Sequence, residues 1–184
     1  KLGEYVVEIE SLNRRLREQA IRDPLTGLHN RRFFEESAER DAARSLRLGE
    51  PLAVVMLDID LFKQINDAHG HPVGDLVLEA LGSVLRTNAR VSDLLCRFGG
   101  EEFVAVLPGA NLAASIERAE FWRAHIAAME IASPDGSRLR CTVSIGVAQL
   151  RASGDSITLA LRRADNALYE AKRSGRNRVV AADA

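Results

Sequence analysis

Cysteine is scarce in this sequence. Cys96 and Cys141 are the only two in 184 residues, too few for a disulfide framework or, alone, a zinc site. Both lie in apolar, strand-like runs, so a reducing, cytosolic setting is expected. Long hydrophobic runs are missing as well: the longest, Leu52 to Leu57, is far too short to span a bilayer, and no signal peptide is visible. Neither sign of charge dominates. The 25 Lys and Arg against 26 Asp and Glu leave a net charge of -1. A general nucleic-acid binder carries a basic excess, so no nucleic-acid partner is expected. What is present is ordinary globular material: 46% hydrophobic and 28% charged residues, in a chain long enough for one domain with its own core.

Residues 1–22 stand apart from the rest. Leu2, Tyr5, Ile9, Leu12 and Leu16 fall on a and d positions of a heptad, with charged residues between them, and Gln19 interrupts at the next d. Two readings fit so short a pattern: a helix capping its own domain, or the end of a coiled-coil stalk leading from an upstream module. The chain opens on Lys1 rather than Met, as a piece of a larger protein would. Asp23-Pro24 breaks this helix, and Thr26 to Asn30 reads as a turn. A second helix is expected from Arg31 to Leu48, stopped by Gly49-Glu50-Pro51. Leu52 to Ile59, apolar and rich in Val and Ile, predicts a buried strand. Leu76, Leu78, Leu81 and Leu85 predict a helix from Gly74 to Ala89 packed on a sheet. Leu94 to Phe98 and Glu101 to Leu107 read as strands joined by Gly99-Gly100, which predicts a tight hairpin with positive φ. A helix over 111–129, a strand over 139–147, a helix over 157–174 and a short strand over 178–180 follow. The core order β-α-β-β-α-β predicts an α+β sandwich of the split-βαβ kind over 23–184, with a mainly antiparallel central sheet and helices on one or both faces.

Carboxylates gather at the ends of these strands. Asp58 and Asp60 close an otherwise apolar strand, and Glu101 and Glu102 flank the glycine hairpin. Burying carboxylates there is costly unless a partner offsets it, and a hard cation is the usual one. A split-βαβ sheet sets the first strand beside the central hairpin, so Asp58 and one of the glutamates can grip one or two Mg²⁺ ions, an arrangement suited to phosphoryl or nucleotidyl transfer. Taken singly, each acid is as well explained as a strand cap or a solvated hairpin tip. Lys63 follows the same strand end, and Lys172 and Arg176 share one face at the end of the last helix. Those cations suit a triphosphate, although a helix dipole alone also favours them there.

The set of motifs resembles the GGDEF family, the diguanylate cyclases, in its Glu-Glu variant. Arg97-Phe98-Gly99-Gly100-Glu101-Glu102-Phe103 is similar to the family's hairpin, and Asp23-Pro24-Leu25-Thr26-Gly27-Leu28-His29-Asn30 to its opening motif. Leu57-Asp58-Ile59-Asp60-Leu61-Phe62-Lys63, Asn66-Asp67 and Gly70-His71 to Gly74-Asp75 resemble its metal and nucleotide segment. Thr142 to Val147, and Ala164-Asp165 through Lys172 to Asn177, resemble its closing segments, so the likeness runs from about Asp23 to Val180. The resemblance implies a ferredoxin-like fold of the nucleotide-cyclase and polymerase-palm type. It also implies condensation of two GTP into cyclic di-GMP with release of two pyrophosphates. By the same resemblance Asp58, the Ile59 carbonyl and Glu101 or Glu102 hold Mg²⁺ (Mn²⁺ as an alternative). One glutamate, Glu101 by preference, helps deprotonate the ribose 3′-hydroxyl. Asn66 and Asp75 read guanine, whose N1–H and N2–H₂ form a donor pair that adenine lacks. A loop cap for Asn66 and a first-turn helix charge for Asp75 are compatible with that role. His71, Leu61 and Phe62 are placed near the nucleotide. Gly99 and Gly100 admit close backbone approach. Lys63, Lys172 and Arg176 cradle the phosphates, Lys63 also assisting catalysis. Asp60 is left as a structural or supporting acid.

A second site also matches. Arg90-Val91-Ser92-Asp93 precedes Gly99 with five residues between Asp93 and that glycine, the spacing of the family's inhibitory product-binding RxxD motif. Arg123 or Arg118 is expected to contribute a further guanidinium there. The resemblance further implies a homodimer, product feedback, and an upstream sensor or membrane domain in the full-length protein. Two other readings stand beside the enzyme: a module that binds GTP or cyclic di-GMP without turnover, and a dimerising output domain.

Overall fold

The computed structural model describes residues 2–152 and 154–182, with only the backbone described at 2–4 and 13–17. A helix α1 (Leu2–Ile21) leads into a short strand β1 (His29–Asn30) and helix α2 (Arg31–Leu48). Strand β2 (Leu52–Ile59) follows, then two consecutive helices, α3 (Phe62–His69) and α4 (His71–Thr87). The hairpin strands β3 (Leu94–Arg97) and β4 (Glu102–Pro108) precede helix α5 (Leu112–Ala128). A two-stranded ribbon of β5 (Ile131–Ala132) and β6 (Arg138–Leu139) comes next, then β7 (Val143–Gln149), helix α6 (Ile157–Arg173) and β8 (Val179–Ala181).

Six strands form one sheet in the order β1-β3-β4-β2-β7-β8. The three central pairings are antiparallel and the two edge pairings parallel, as a mainly antiparallel split-βαβ sheet requires. Strand β2 lies at the centre, and every one of its residues is buried. Its side chains alternate between two cores. Val55, Leu57 and Ile59 face α4 and α5 through Val77, Leu81, Trp122 and Ile126. Val54 and Met56 face α2 and α6 through Phe34, Ala38, Ala164 and Leu168. Both faces are therefore covered, and Asp58 continues the α2/α6 side to the end of the sheet. Gly146 of β7 lets α6 lie close, because a Cβ there would overlap the Ala164 carbonyl and the Leu168 amide.

Several expectations need correction. The helix expected from Gly74 begins at His71, preceded by the short α3; Pro72 sits in its first turn, where a missing N–H costs nothing. The strand expected over 139–147 is two pieces: Leu139 pairs in the small ribbon, and the sheet strand begins only at Val143. Neither Gly99 nor Gly100 takes a positive φ. The strands end at Arg97 and restart at Glu102, so a four-residue connection replaces the two-residue turn that would have demanded it. Finally, Tyr5, Ile9 and Leu12 are 61%, 57% and 52% exposed, so the described part of this stripe is not packed on the domain. Leu2 and Leu16, the outer members of the heptad pattern, have side chains outside the described residues.

Candidate active site

Strand register assembles the carboxylates. On β2 and β4, Asp58 is the cross-strand partner of Glu102. The Ile59 N–H donates to the Glu101 carbonyl (3.3 Å), which makes the neighbouring 58/102 pair the close, non-hydrogen-bonded kind with side chains on one face. The Ile59 carbonyl lies at the same open end of the sheet. From above, the end of α6 supplies Lys172, whose Nζ stands 2.9 Å from Asp58 Oδ2. Burial pushes the Asp58 carboxyl above its usual range despite that partner, and the Glu102 and Asp60 charges add to the push. Glu101 is raised as well, by burial first and then by the Asp58 charge.

Among the described residues no group of three His, Cys, Asp or Glu side chains stands ready to hold a metal ion. The donor set nevertheless fits a hard divalent cation. Asp58 and Glu101 each have their proton affinity raised by neighbouring carboxylates. One ammonium relieves that repulsion only in part, and oxygen donors are what such a cation prefers.

Asp60 has a different role. Its carboxylate accepts from Thr142 Oγ1 (2.7 Å), Ser144 Oγ (2.6 Å) and the Asn177 N–H (3.0 Å), so it is a structural acid tying β2 to β7 and to the turn after α6. The next residue, Leu61, is exposed and left-handed at φ 58°, a conformation that costs a branched side chain energy and that accumulates at functional sites. It opens α3, with Phe62 buried beneath and Lys63 exposed in the first turn. Further along α3, Asn66 Oδ1 is buried without a hydrogen-bond partner. It packs on Gly74 of α4, where an added Cβ would overlap it. A buried amide oxygen left free wants a donor. His71 is exposed at the head of α4, and Asp75 is exposed in the second turn rather than the first. The helix-dipole explanation for Asp75 thereby weakens.

The hairpin is braced from behind. Arg97 donates to the Gly100 carbonyl (2.8 Å) and to Asp23 (3.2 Å), and Phe98 sits under the Arg31 guanidinium and edge-on to Phe34. At Gly99 an added Cβ would lie 2.6 Å from Glu102 Oε2, so a side chain there would push the Glu102 carboxylate aside. The role of Arg97 was visible in the sequence only as a motif letter; nothing in its spacing pointed to Asp23, 74 residues away. Gly74 reads in the sequence as the start of its helix, so its place inside α4 against Asn66 emerges only from the fold.

At the second site, Asp93 accepts the Arg90 N–H (2.7 Å) and the Arg118 guanidinium, while the Arg90 side chain stays exposed. Arg118 is thus the arginine of α5 that meets the Arg90–Asp93 turn. Arg123 lies elsewhere, bonded to Glu120 (2.7 Å) and to Asn177 Oδ1 (2.9 Å). Arg176, expected to share a helix face with Lys172, lies instead exposed in the turn after α6, which ends at Arg173.

An α+β sheet of this order, with carboxylates at the end of its central strands and a braced hairpin beside them, defines a palm-like domain. Residues 20–178 match the family described as diguanylate cyclase, GGDEF domain, and the chain belongs to it. It is 43% identical over 164 residues to the response regulator PleD of Caulobacter vibrioides, spanning 89% of this chain and 36% of PleD. It is 44% identical over 168 residues to the diguanylate cyclase DgcP of Pseudomonas aeruginosa, spanning 90% of this chain and 24% of DgcP. The chain therefore spans roughly a quarter to a third of the length of these curated relatives. A crystal structure of the coiled coil and GGDEF domain of DgcB from Caulobacter crescentus in complex with c-di-GMP matches with a TM-score of 0.89 at 34% identity. That match covers 98% of this chain and 97% of the DgcB chain. No helix among the described residues is long and apolar enough to cross a membrane.

Proposed function

We propose that this domain is a diguanylate cyclase, condensing two GTP into cyclic di-GMP with release of two pyrophosphates. The observation that carries the reading is the Asp58–Glu102 register pair, with Glu101 beside it and Lys172 above. In each half-reaction the ribose 3′-oxygen of one GTP bonds to the α-phosphorus of the other, the bond to the β-phosphate breaks, and one proton leaves. Glu101, whose proton affinity burial and Asp58 raise, takes that proton. Lys172, Arg176 and Lys63 balance the triphosphate charge, while Asn66 and Asp75 select guanine. Leu61, Phe62 and His71 shape the approach, and Gly99 and Gly100 leave room for the nucleotide. Asp58, the Ile59 carbonyl and Glu101 or Glu102 would hold Mg²⁺, which when bound neutralises phosphate charge.

One such site holds one GTP, so two domains must face each other in a homodimer. The exposed Tyr5, Ile9 and Leu12 supply a surface through which paired α1 helices would hold them together. Arg90, Asp93 and Arg118 form the product-binding site through which cyclic di-GMP restrains the enzyme. The domain is read as the output module of a longer, sensor-bearing protein. Incubation with Mg²⁺ and GTP tests the reading: cyclic di-GMP and pyrophosphate appear, and a folded Asp58→Ala variant loses activity by orders of magnitude. Full turnover in that variant would remove the carboxylate mechanism.

A further inference from the structure

The turn that follows α6 takes a positive φ at three successive residues. Gly175, Arg176 and Asn177 have φ of 114°, 63° and 44°. Glycine adopts such angles freely, but Arg and Asn are held there against contact between Cβ and the backbone. Strain of this kind persists only where the surroundings over-determine it. Here three bonds do so. The Arg176 N–H donates to the Ala171 carbonyl (3.0 Å), the Asn177 N–H to Asp60 Oδ2 (3.0 Å), and Asn177 Oδ1 accepts from Arg123 Nη1 (2.9 Å). Asp60 is itself fixed by Thr142 and Ser144, and Arg123 by Glu120 on its own helix. Asn177 is thus clamped at its backbone by the β2 end and at its side chain by α5.

We infer that Arg123 is a positioning residue of the triphosphate cradle: with Asp60 it locks Asn177 and so fixes the left-handed turn from which Arg176 projects. The inference rests on the proposed phosphate role of Arg176. It assigns Arg123 to the substrate side of the domain, away from the Arg90–Asp93 turn that Arg118 serves. A guanidinium suits the task, because it bonds Glu120 through Nε and Asn177 through Nη1 simultaneously, which a lysine ammonium does not reproduce.

The test compares wild type, Arg123→Ala, Arg176→Ala and the double variant, with GTP kinetics at one protein concentration, product-inhibition curves and amide exchange. In Arg123→Ala the KM for GTP is expected to rise about fivefold, the loss of one hydrogen bond, with kcat within about twofold. Product inhibition stays as in wild type, and the Asn177 amide exchanges faster. On the Arg176→Ala background the Arg123→Ala change adds nothing to KM, because the two act as one unit. An unchanged KM in Arg123→Ala while Arg176→Ala raises it overturns the inference, as does full additivity. Relief of product inhibition at unchanged KM overturns it too and returns Arg123 to the product site. If Arg176→Ala leaves KM unchanged, the phosphate reading has failed; amide exchange at Asn177 then still decides whether Arg123 braces the turn, unchanged exchange rejecting it.

Discussion

At the scale of single residues, small side chains decide where large ones function. Gly74 has no conformational need for glycine; it is small because Asn66 Oδ1 lies against it. Gly74→Ala is therefore expected to displace the Asn66 amide and raise the KM for GTP about tenfold, the loss of one well-made bond. It should also narrow the preference for GTP over ATP, measured as the ratio of kcat/KM values. An unchanged ratio would separate Asn66 from base recognition. The cysteines offer a contrast. Burial pushes the Cys96 thiol up to about 12 and the Cys141 thiol up to about 11, so both remain protonated and serve as small apolar fillers.

At the scale of elements, strongly patterned segments were legible and short polar ones were not. The apolar run of β2 and the spaced leucines of α4 announce themselves, because burial imposes a period on the sequence. Helix α3 escaped notice since Lys63, Gln64 and Asp67 dilute a segment of eight residues. Strands β1, β5 and β6 have two residues each, below any recognisable period. The Asp58–Glu102 pair was readable from the hairpin topology, whereas the Asp60–Asn177–Arg123 chain joins residues that only the fold makes neighbours. One loop anchor carries a stability prediction. Asp155, ahead of α6, is half-buried with its side chain turned inward, and that desolvation alone would raise its carboxyl. Bonds from Arg163 (2.5 and 3.1 Å) and from the Arg151 and Ser156 N–H groups outweigh that and bring it down to about 2. A folded value below the unfolded one near ~4 means that its contribution, about 2 kcal/mol, is complete above that pH and fades as the pH falls toward 2. Urea denaturation should show Asp155→Asn less stable than wild type by about that amount at pH 7, with the gap closing in acid. A gap that persists to pH 2 would assign the loss to packing instead.

At the scale of the whole molecule, assembly and feedback follow from what lies on the surface. Specific activity is expected to rise with protein concentration, and progress curves to bend as cyclic di-GMP accumulates. Arg90→Ala should straighten those curves at a similar initial rate, since the exposed Arg90 side chain lies outside the carboxylates proposed to be catalytic. Equal inhibition of both proteins by added product would reduce the motif to a turn. The joint between α1 and the body has a mechanical consequence. Asn30 donates to the Ala20 carbonyl at the end of α1 (2.9 Å) and accepts the Phe33 N–H at the start of α2 (3.0 Å), so its side chain ties α1 to the body beside the Arg22–His29 bridge. The 20 residues of α1 reach about 30 Å from that joint. Turning it by about 10° sweeps the far end through about 5 Å, close to the rise of one helical turn. In the proposed dimer, a small change of angle at this joint would thus be felt as a sideways displacement of several ångström at the far end of α1.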